Sequence, residues 1–268
     1  MTKPFRFGVV APLLTDLPTW REQARRIGDL GYSTLLVPDF PLTQPAPAPL
    51  LTIAAEITDL RVGTWVYASP LRAPWLTAWE SHSLSLLTDG RFEMGIGTGR
   101  PGIEDELHEK GVADVPSRGE RLPQIRETVE RLRELDGPDR HTPVAMAVLG
   151  PKARALAAEV ADTVTFVLGD QPRGQVAPMA SEFRDNEKVE LALAVPAIGD
   201  WVAPHMAPPD TDPTPWREAD ALTVLPDDPA AAVAEVQRRR EEMGFSYFVI
   251  GAGAAERFAP VVAELAGR

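Results

Sequence analysis

Apolar runs of strand length alternate along the chain with segments whose apolar positions recur at helical spacing. The runs are 5–11 (FRFGVVA), 34–38 (TLLVP), 60–68 (LRVGTWVYA), 91–97 (RFEMGIG), 143–150 (PVAMAVLG), 163–168 (TVTFVL), 189–197 (VELALAVPA) and 246–250 (SYFVI). Between the first two, Leu17, Trp20, Ala24 and Ile27 share a helical face that Gly31 can end. Further helices are predicted near 48–58, 74–87, 118–135, from Pro151, weakly over 175–187, behind Asp228 and over 255–266. Asp228 suits an N-cap, Pro229 the first helical position and Gly244 the stop.

Eight strand–helix units in 268 residues predict an α/β fold of the (β/α)8 TIM-barrel type. The strands read as continuous Val, Leu and Ile runs, as strands covered on both faces should. An open doubly wound sheet is the rival arrangement. No boundary divides the chain, so residues 1–268 read as one domain. A Pro- and Asp-rich stretch over 199–227 reads as a long loop or lid at the barrel mouth.

Composition narrows the chemistry. The formal net charge is −12, and the longest Lys/Arg cluster, Arg238–Arg240, sits among Glu235, Glu241 and Glu242 as a solvated helix face, which argues against nucleic-acid or anionic-membrane partners. The chain has no cysteine, so disulfides, thiolate metal sites and cysteine nucleophiles are excluded. The four histidines lie far apart in sequence and no metal-ligand spacing is present, so no metal site is expected. Residues 1–10 lack a signal-peptide core and no run reaches membrane length, which makes a cytoplasmic location the expectation. Glu104, Asp105, Glu106 and Glu109 read as a solvated face.

Gly97, Gly99 and Gly102 form a literal G-x-G-x-x-G. A dinucleotide turn needs a helix directly behind it and an acidic strand end about twenty residues on. Here Pro101 and a run of carboxylates intervene. The better reading is the C-terminal end of a barrel strand, where glycine admits a flat ligand close to the backbone.

The segment DGRFEMGIGTG, preceded by PLRAPWLTAWESHSLSLL, resembles the luciferase-like flavin and deazaflavin oxidoreductases. LGYSTLLVPDF, SRGERLPQIRETVERLREL, LGPKARALAAEVADTV and GFSYFVIGAGAAERFAPVVAEL agree, the last being similar to an actinobacterial deazaflavin-dependent subgroup. The resemblance covers most of 4–168 and 220–268. It implies a barrel that binds coenzyme F420, with hydride transfer to or from a small organic or natural-product substrate. An FMN-dependent monooxygenase of the same family is the alternative, and a member that has lost its redox coenzyme is a second alternative. A homodimer is a further expectation.

The resemblance also implies roles for residues. A bulge with a non-proline cis peptide backs the ring at the end of the third strand, and Tyr67, Ala68 and Ser69 match it. Gly97, Thr98 and Gly99 match further ring or ribityl contacts, and Gly150, Pro151 and Lys152 match a phosphate site. There, Ala147, Val148 and Leu149 replace the usual small residues, and their side chains threaten to fill the space. Phe40 stands where many members carry histidine, so the mouth keeps only Asp39 as a carboxylate. Asp39 and Tyr67 are the candidate proton donors. Phe40, Arg100, Trp201 and His205 are the candidate substrate contacts.

Overall fold

The computed structural model describes residues 3–41 and 43–268. Its first half runs β1 (Arg6–Val10), α1 (Leu17–Asp29), β2 (Thr34–Val37), α2 (Pro47–Ile57), β3 (Arg61–Thr64), β4 (Tyr67–Ala68), α3 (Pro74–Leu87), β5 (Phe92–Gly97), α4 (Ile103–Glu109) and α5 (Arg118–Asp136). The second half runs β6 (Val144–Val148), α6 (Pro151–Val160), β7 (Thr163–Phe166), α7 (Arg173–Ser181), β8 (Glu190–Val195), β9 (Ala197–Ile198), β10 (Trp201–Val202) and α8 (Thr214–Glu218). It ends with β11 (Val224–Leu225), α9 (Pro229–Met243), β12 (Phe245–Gly251) and α10 (Ala255–Leu265).

Local chemistry explains the helix ends. The Asp16 and Asp228 carboxylates accept from Thr19 N and Ala231 N, and Ser117 with Glu120 forms a capping box at α5. Gly244, at φ 86°, closes α9.

The strand order is β3–β2–β1–β12–β8–β7–β6–β5, and β3 also pairs with β5 through Val62 and Phe92. Every one of these pairings is parallel. The sheet therefore closes into an eight-stranded barrel, and the open-sheet alternative falls. Outward-facing side chains pack under the helices; Phe7, for example, meets Phe248 at 6.1 Å and Phe258 at 5.9 Å between ring centroids.

The barrel floor is polar. Arg6 bonds Glu93 at 2.7 Å and Glu190 at 2.7 Å, Arg61 also bonds Glu93, and Ser246 donates to Glu190 at 3.0 Å. These side chains come from β1, β3, β5, β8 and β12, so they can meet only on the barrel axis. Burial pushes the Glu93 carboxyl up, but the Arg6 and Arg61 charges and hydrogen bonds outweigh it and leave it below the usual carboxylate range.

Period-two alternation carries the inward face upward from this floor. On the β1, β2 and β12 side it is bulky: Val10, Leu36, Tyr247 and Val249 form an inner cluster with Trp65 and Met206. On the other side it is small: β5, β6 and β8 contribute Gly97, Ala147 and Ala194, and the two alanines remain partly open to solvent. The upper barrel has bulky inward side chains on one side and small ones on the other.

Within 197–225, β9 pairs with β10 and β11 as a small separate sheet. It gives the segment read as a loop its own backbone hydrogen bonds. Arg239, fully buried on α9, fastens it by donating to the Leu222 and Val224 carbonyls at 2.6 Å each.

Candidate functional site

The rim begins where β3 breaks off. Val62 and Gly63 pair with Phe92 and Glu93, and pairing resumes with Tyr67 against Ile96 and Ala68 against Gly97. From Gly63 to Tyr67 is one step more than from Glu93 to Ile96, so the chain carries a one-residue bulge. The residues outside the ladder are Trp65 and Val66, and the peptide between them is cis. The break thus precedes Tyr67–Ser69, the residues the resemblance matched to a bulge, and Tyr67 and Ala68 are themselves back in the ladder. Thr64 fixes the break, since its hydroxyl bonds both the Gly95 carbonyl at 2.7 Å and the Gly95 N–H at 2.9 Å.

Two glycines on β5 make room for this bulge. A Cβ on Gly95 would lie 1.9 Å from the Thr64 carbonyl oxygen, so that position admits only glycine. A Cβ on Gly97 would lie 3.1 Å from Val66 Cγ2 and 3.3 Å from Ala147 Cβ. Gly97 therefore packs directly against the bulge residue Val66 and against Ala147. Ser69, just beyond, is buried, and its hydroxyl has no hydrogen-bond partner among the described residues.

The candidate coenzyme residues that follow converge. Thr98, Gly99 and Arg100 line one groove of about 590 Å³ with Gly150, Pro151 and Lys152. Val148 is buried toward the core and Leu149 is exposed. Neither they nor Ala147 is among the residues that line the groove. Arg118 and Arg121, which the sequence reading did not single out, also line the groove. Arg121 donates to the Thr98 carbonyl at 3.1 Å and pairs with Glu104 at 2.6 Å. Arg100 pairs with Glu106, and Lys152 has no ion-pair partner among the described residues. Four cationic side chains and one carboxylate line this groove on a chain of net charge −12.

The glycine motif itself leads into α4, a short helix where the sequence predicted a plain connection. Gly99 and Gly102 take φ of 81° and 78°. The first turn of α4 holds Glu104, Asp105 and Glu106, an unfavourable seat for a pyrophosphate. Among the described residues no cluster suits a metal ion.

Asp39 and Tyr67 share a buried network. Arg72 donates to both Asp39 oxygens, at 3.1 and 3.2 Å, and to Glu80 at 3.1 Å. The Tyr67 hydroxyl donates to Glu80 at 2.6 Å, and the Arg72 guanidinium lies 4.3 Å over the Tyr67 ring. Burial, with the Glu80 carboxylate beside it, holds the Tyr67 hydroxyl protonated well above its ordinary range. That hydroxyl faces α3, on the helix side of the sheet.

The candidate substrate residues separate. Arg100 lies in the cationic groove, whereas Phe40 and His205 approach each other across the mouth, 6.2 Å between ring centroids. Trp201 and His205 line a second cavity of about 300 Å³ by the end of β12. A Cβ on Gly253 would lie 2.6 Å from the Trp201 indole. The glycines after β12 therefore seat an aromatic ring.

A model of the family described as luciferase-like monooxygenase matches residues 5–200. A curated relative, 4-hydroxyprotoasukamycin monooxygenase of Streptomyces nodosus subsp. asukaensis, is 31% identical over 129 residues, 46% of this chain. The chain spans only 34% of that relative's length. Among solved structures, an F420-dependent secondary alcohol dehydrogenase in complex with an F420-acetone adduct superposes with a TM-score of 0.72 at 19% identity, covering 97% of this chain and 98% of that one. A riboflavin lyase (RcaE) with modified FMN and its substrate riboflavin superposes with a TM-score of 0.74 at 14% identity, covering 98% of this chain and 93% of that one. At these identities the two structures share the fold.

Proposed function

The chain belongs to the luciferase-like monooxygenase family, and from that membership we propose an oxidoreductase that binds coenzyme F420 and moves a hydride to or from a small organic substrate. One observation carries the reading: a groove lined by Arg100, Arg118, Arg121 and Lys152 opens just beyond the strand ends where Gly97 pairs with Ala147. An anionic tail fits the groove, and the flat ring is assigned to the small-residue strand ends beside it. The unpaired Ser69 hydroxyl supplies a polar group beside those strand ends. When bound, the deazaflavin supplies the hydride-carrying ring carbon.

The chain's own residues bind and position. Gly97, Ala147 and Ala194 leave the space, and Trp65 and Val66 form the wall behind it. Lys152 and Arg118 offer charge-assisted hydrogen bonds, each about twice as strong as a neutral one. Trp65 and Met206 cover the inner side and keep water from the ring. Asp39, held by Arg72, acts as a positioning residue that fixes the loop after β4 against the end of β2.

The monooxygenase relative supports a second reading, FMN with dioxygen as co-substrate. We favour F420 because the groove keeps a net positive lining, four cations against Glu104, even with Arg118 and Arg121 paired to Glu104 and Arg100 to Glu106, and F420 carries a phosphodiester and further carboxylates. Anaerobic titration with each coenzyme, followed by absorbance and fluorescence, tests the choice. F420 binding at least tenfold tighter than FMN is expected, and the reverse order gives the second reading.

A second copy of the chain is the proposed protein partner. On α3, Trp75 and Trp79 stack with ring centroids 6.5 Å apart while 58% and 57% exposed. Leu86 and Leu87 extend that apolar surface along the same helix.

A further inference from the structure

The cavity beside β12 differs in kind from the cationic groove. No Asp, Glu, Lys or Arg occurs among the described residues that line it, although 25% of the chain is charged. Its walls are the Trp201 indole, Val10, Ala203 and Met206, and its polar groups include the Thr15 hydroxyl and the His205 ring. An apolar wall with a few polar groups at the edge is the usual make-up of a small-molecule site, and about 300 Å³ is the small end of the range.

Its position is equally informative. Val10 and Met206 line this cavity and also belong to the inner cluster with Trp65, one of the two bulge residues of the rim. The Met206 side chain therefore stands between the cavity and that bulge. Methionine is unbranched and adaptable, so it can yield without disturbing the backbone. The segment lies this close because residue 251 is glycine: a Cβ there would fall 2.6 Å from Ala203 Cβ and 3.5 Å from Met206 Sδ.

We infer that this cavity is the acceptor pocket and takes a compact, uncharged, largely apolar molecule, separately from the coenzyme. The acceptor role rests on the coenzyme reading above; the ligand class rests on the cavity alone. A charged ligand would lose its hydration here without gaining a counter-charge.

The test uses the full chain with 13C-methyl methionine, the Met206 resonance being assigned with Met206→Leu. The probes are 2-naphthol, 2-naphthoate and 2-naphthylmethylammonium at neutral pH. We expect 2-naphthol to shift the Met206 methyl saturably and to bind at least tenfold tighter than either charged analogue. Thr15→Trp, an exposed change at the cavity's edge, should weaken 2-naphthol at least tenfold with an unchanged far-ultraviolet circular dichroism spectrum. A charged analogue binding as tightly, an unmoved Met206 methyl, or indifference to Thr15→Trp overturns the ligand class. A parallel titration with F420 separates the two readings. Binding of 2-naphthol changed less than threefold by saturating F420 supports a distinct acceptor pocket, and mutual displacement overturns it. Failure of F420 to bind while 2-naphthol behaves as expected removes the coenzyme reading and the acceptor role but leaves the ligand class standing.

Discussion

Arg72 grips Asp39 through two hydrogen bonds, Nε to Oδ2 at 3.1 Å and Nη2 to Oδ1 at 3.2 Å, with both side chains largely buried. The pair ties the loop after β4 to the end of β2 and so holds the rim next to the Trp65–Val66 bulge. Removing one partner leaves a buried charge without its counter-ion. Arg72→Leu is expected to cost about 3 kcal/mol. Asp39→Asn keeps the shape and one acceptor and should cost only about 1 kcal/mol. Urea denaturation of the two variants checks the order. Equal and negligible losses would mean the pair does not hold the rim.

Glu93 makes a prediction about pH. Its pKa in the folded chain lies below the ordinary carboxylate value, through Arg6 and Arg61 acting against burial. A lowered folded pKa contributes stability above the unfolded pKa, and that stability is lost as pH falls through the folded pKa. Glu93→Gln should therefore cost about 3 kcal/mol at pH 7, because Arg61 loses its carboxylate and Arg6 keeps only Glu190. The gap to wild type should narrow as pH drops below the ordinary carboxylate range. Denaturation midpoints at pH 7 and at successively lower pH measure it; a pH-independent gap would contradict this account.

Gly95 and Gly97 stand two residues apart and should fail differently. Gly95→Ala drives a methyl into the Thr64 carbonyl and should yield little folded protein. Gly97→Ala meets Val66 Cγ2 at 3.1 Å and Ala147 Cβ at 3.3 Å, contacts that small shifts relieve at a cost of about 1 to 2 kcal/mol. Its main effect should be at the strand ends assigned to the ring, weakening F420 binding at least tenfold while the thermal transition stays cooperative. Circular dichroism melts and coenzyme titration of both variants separate fold from site.

The exposed tryptophans of α3 should bury against a second copy. Trp79→Glu adds a charge to the proposed contact and should shift the chain from dimer to monomer in sedimentation velocity, with the melting curve of the monomer retained. A wild type that sediments as a monomer at high micromolar concentration removes this reading.

How much of this was legible in the residues differs from part to part. The eight barrel strands follow from Val, Leu and Ile runs, α1 from the shared face of Leu17, Trp20, Ala24 and Ile27, and α9 from Asp228, Pro229 and Gly244 at its ends. The break at Trp65 and Val66 was not visible. LRVGTWVYA is one unbroken apolar-rich run, and a one-residue bulge is defined only against the partner strand, β5. The strands β9, β10 and β11 have two residues each, too few to show a period. Within the site, Thr98–Arg100 and Gly150–Lys152 come from two separate motifs, and the barrel register of Gly97 against Ala147 brings them together. Arg118 and Arg121 escaped notice because helical spacing does not say which face meets a groove. The signal was present in the Ser117–Glu120 capping box, which puts both arginines in the first turns of α5, at the mouth end of the barrel.

The central claim is that one cationic groove and the small-residue strand ends beside it together hold an anionic, ring-bearing redox coenzyme. Its most direct test is anaerobic F420 titration of the wild type and of Arg118→Ala/Lys152→Ala at low and at high salt. Both side chains are exposed, so the double variant should fold normally. The account predicts saturable binding by the wild type that weakens with salt, and at least tenfold weaker, less salt-sensitive binding by the variant. Wild-type binding that the double substitution leaves unchanged, or no binding of either F420 or FMN at high micromolar concentration, would contradict it.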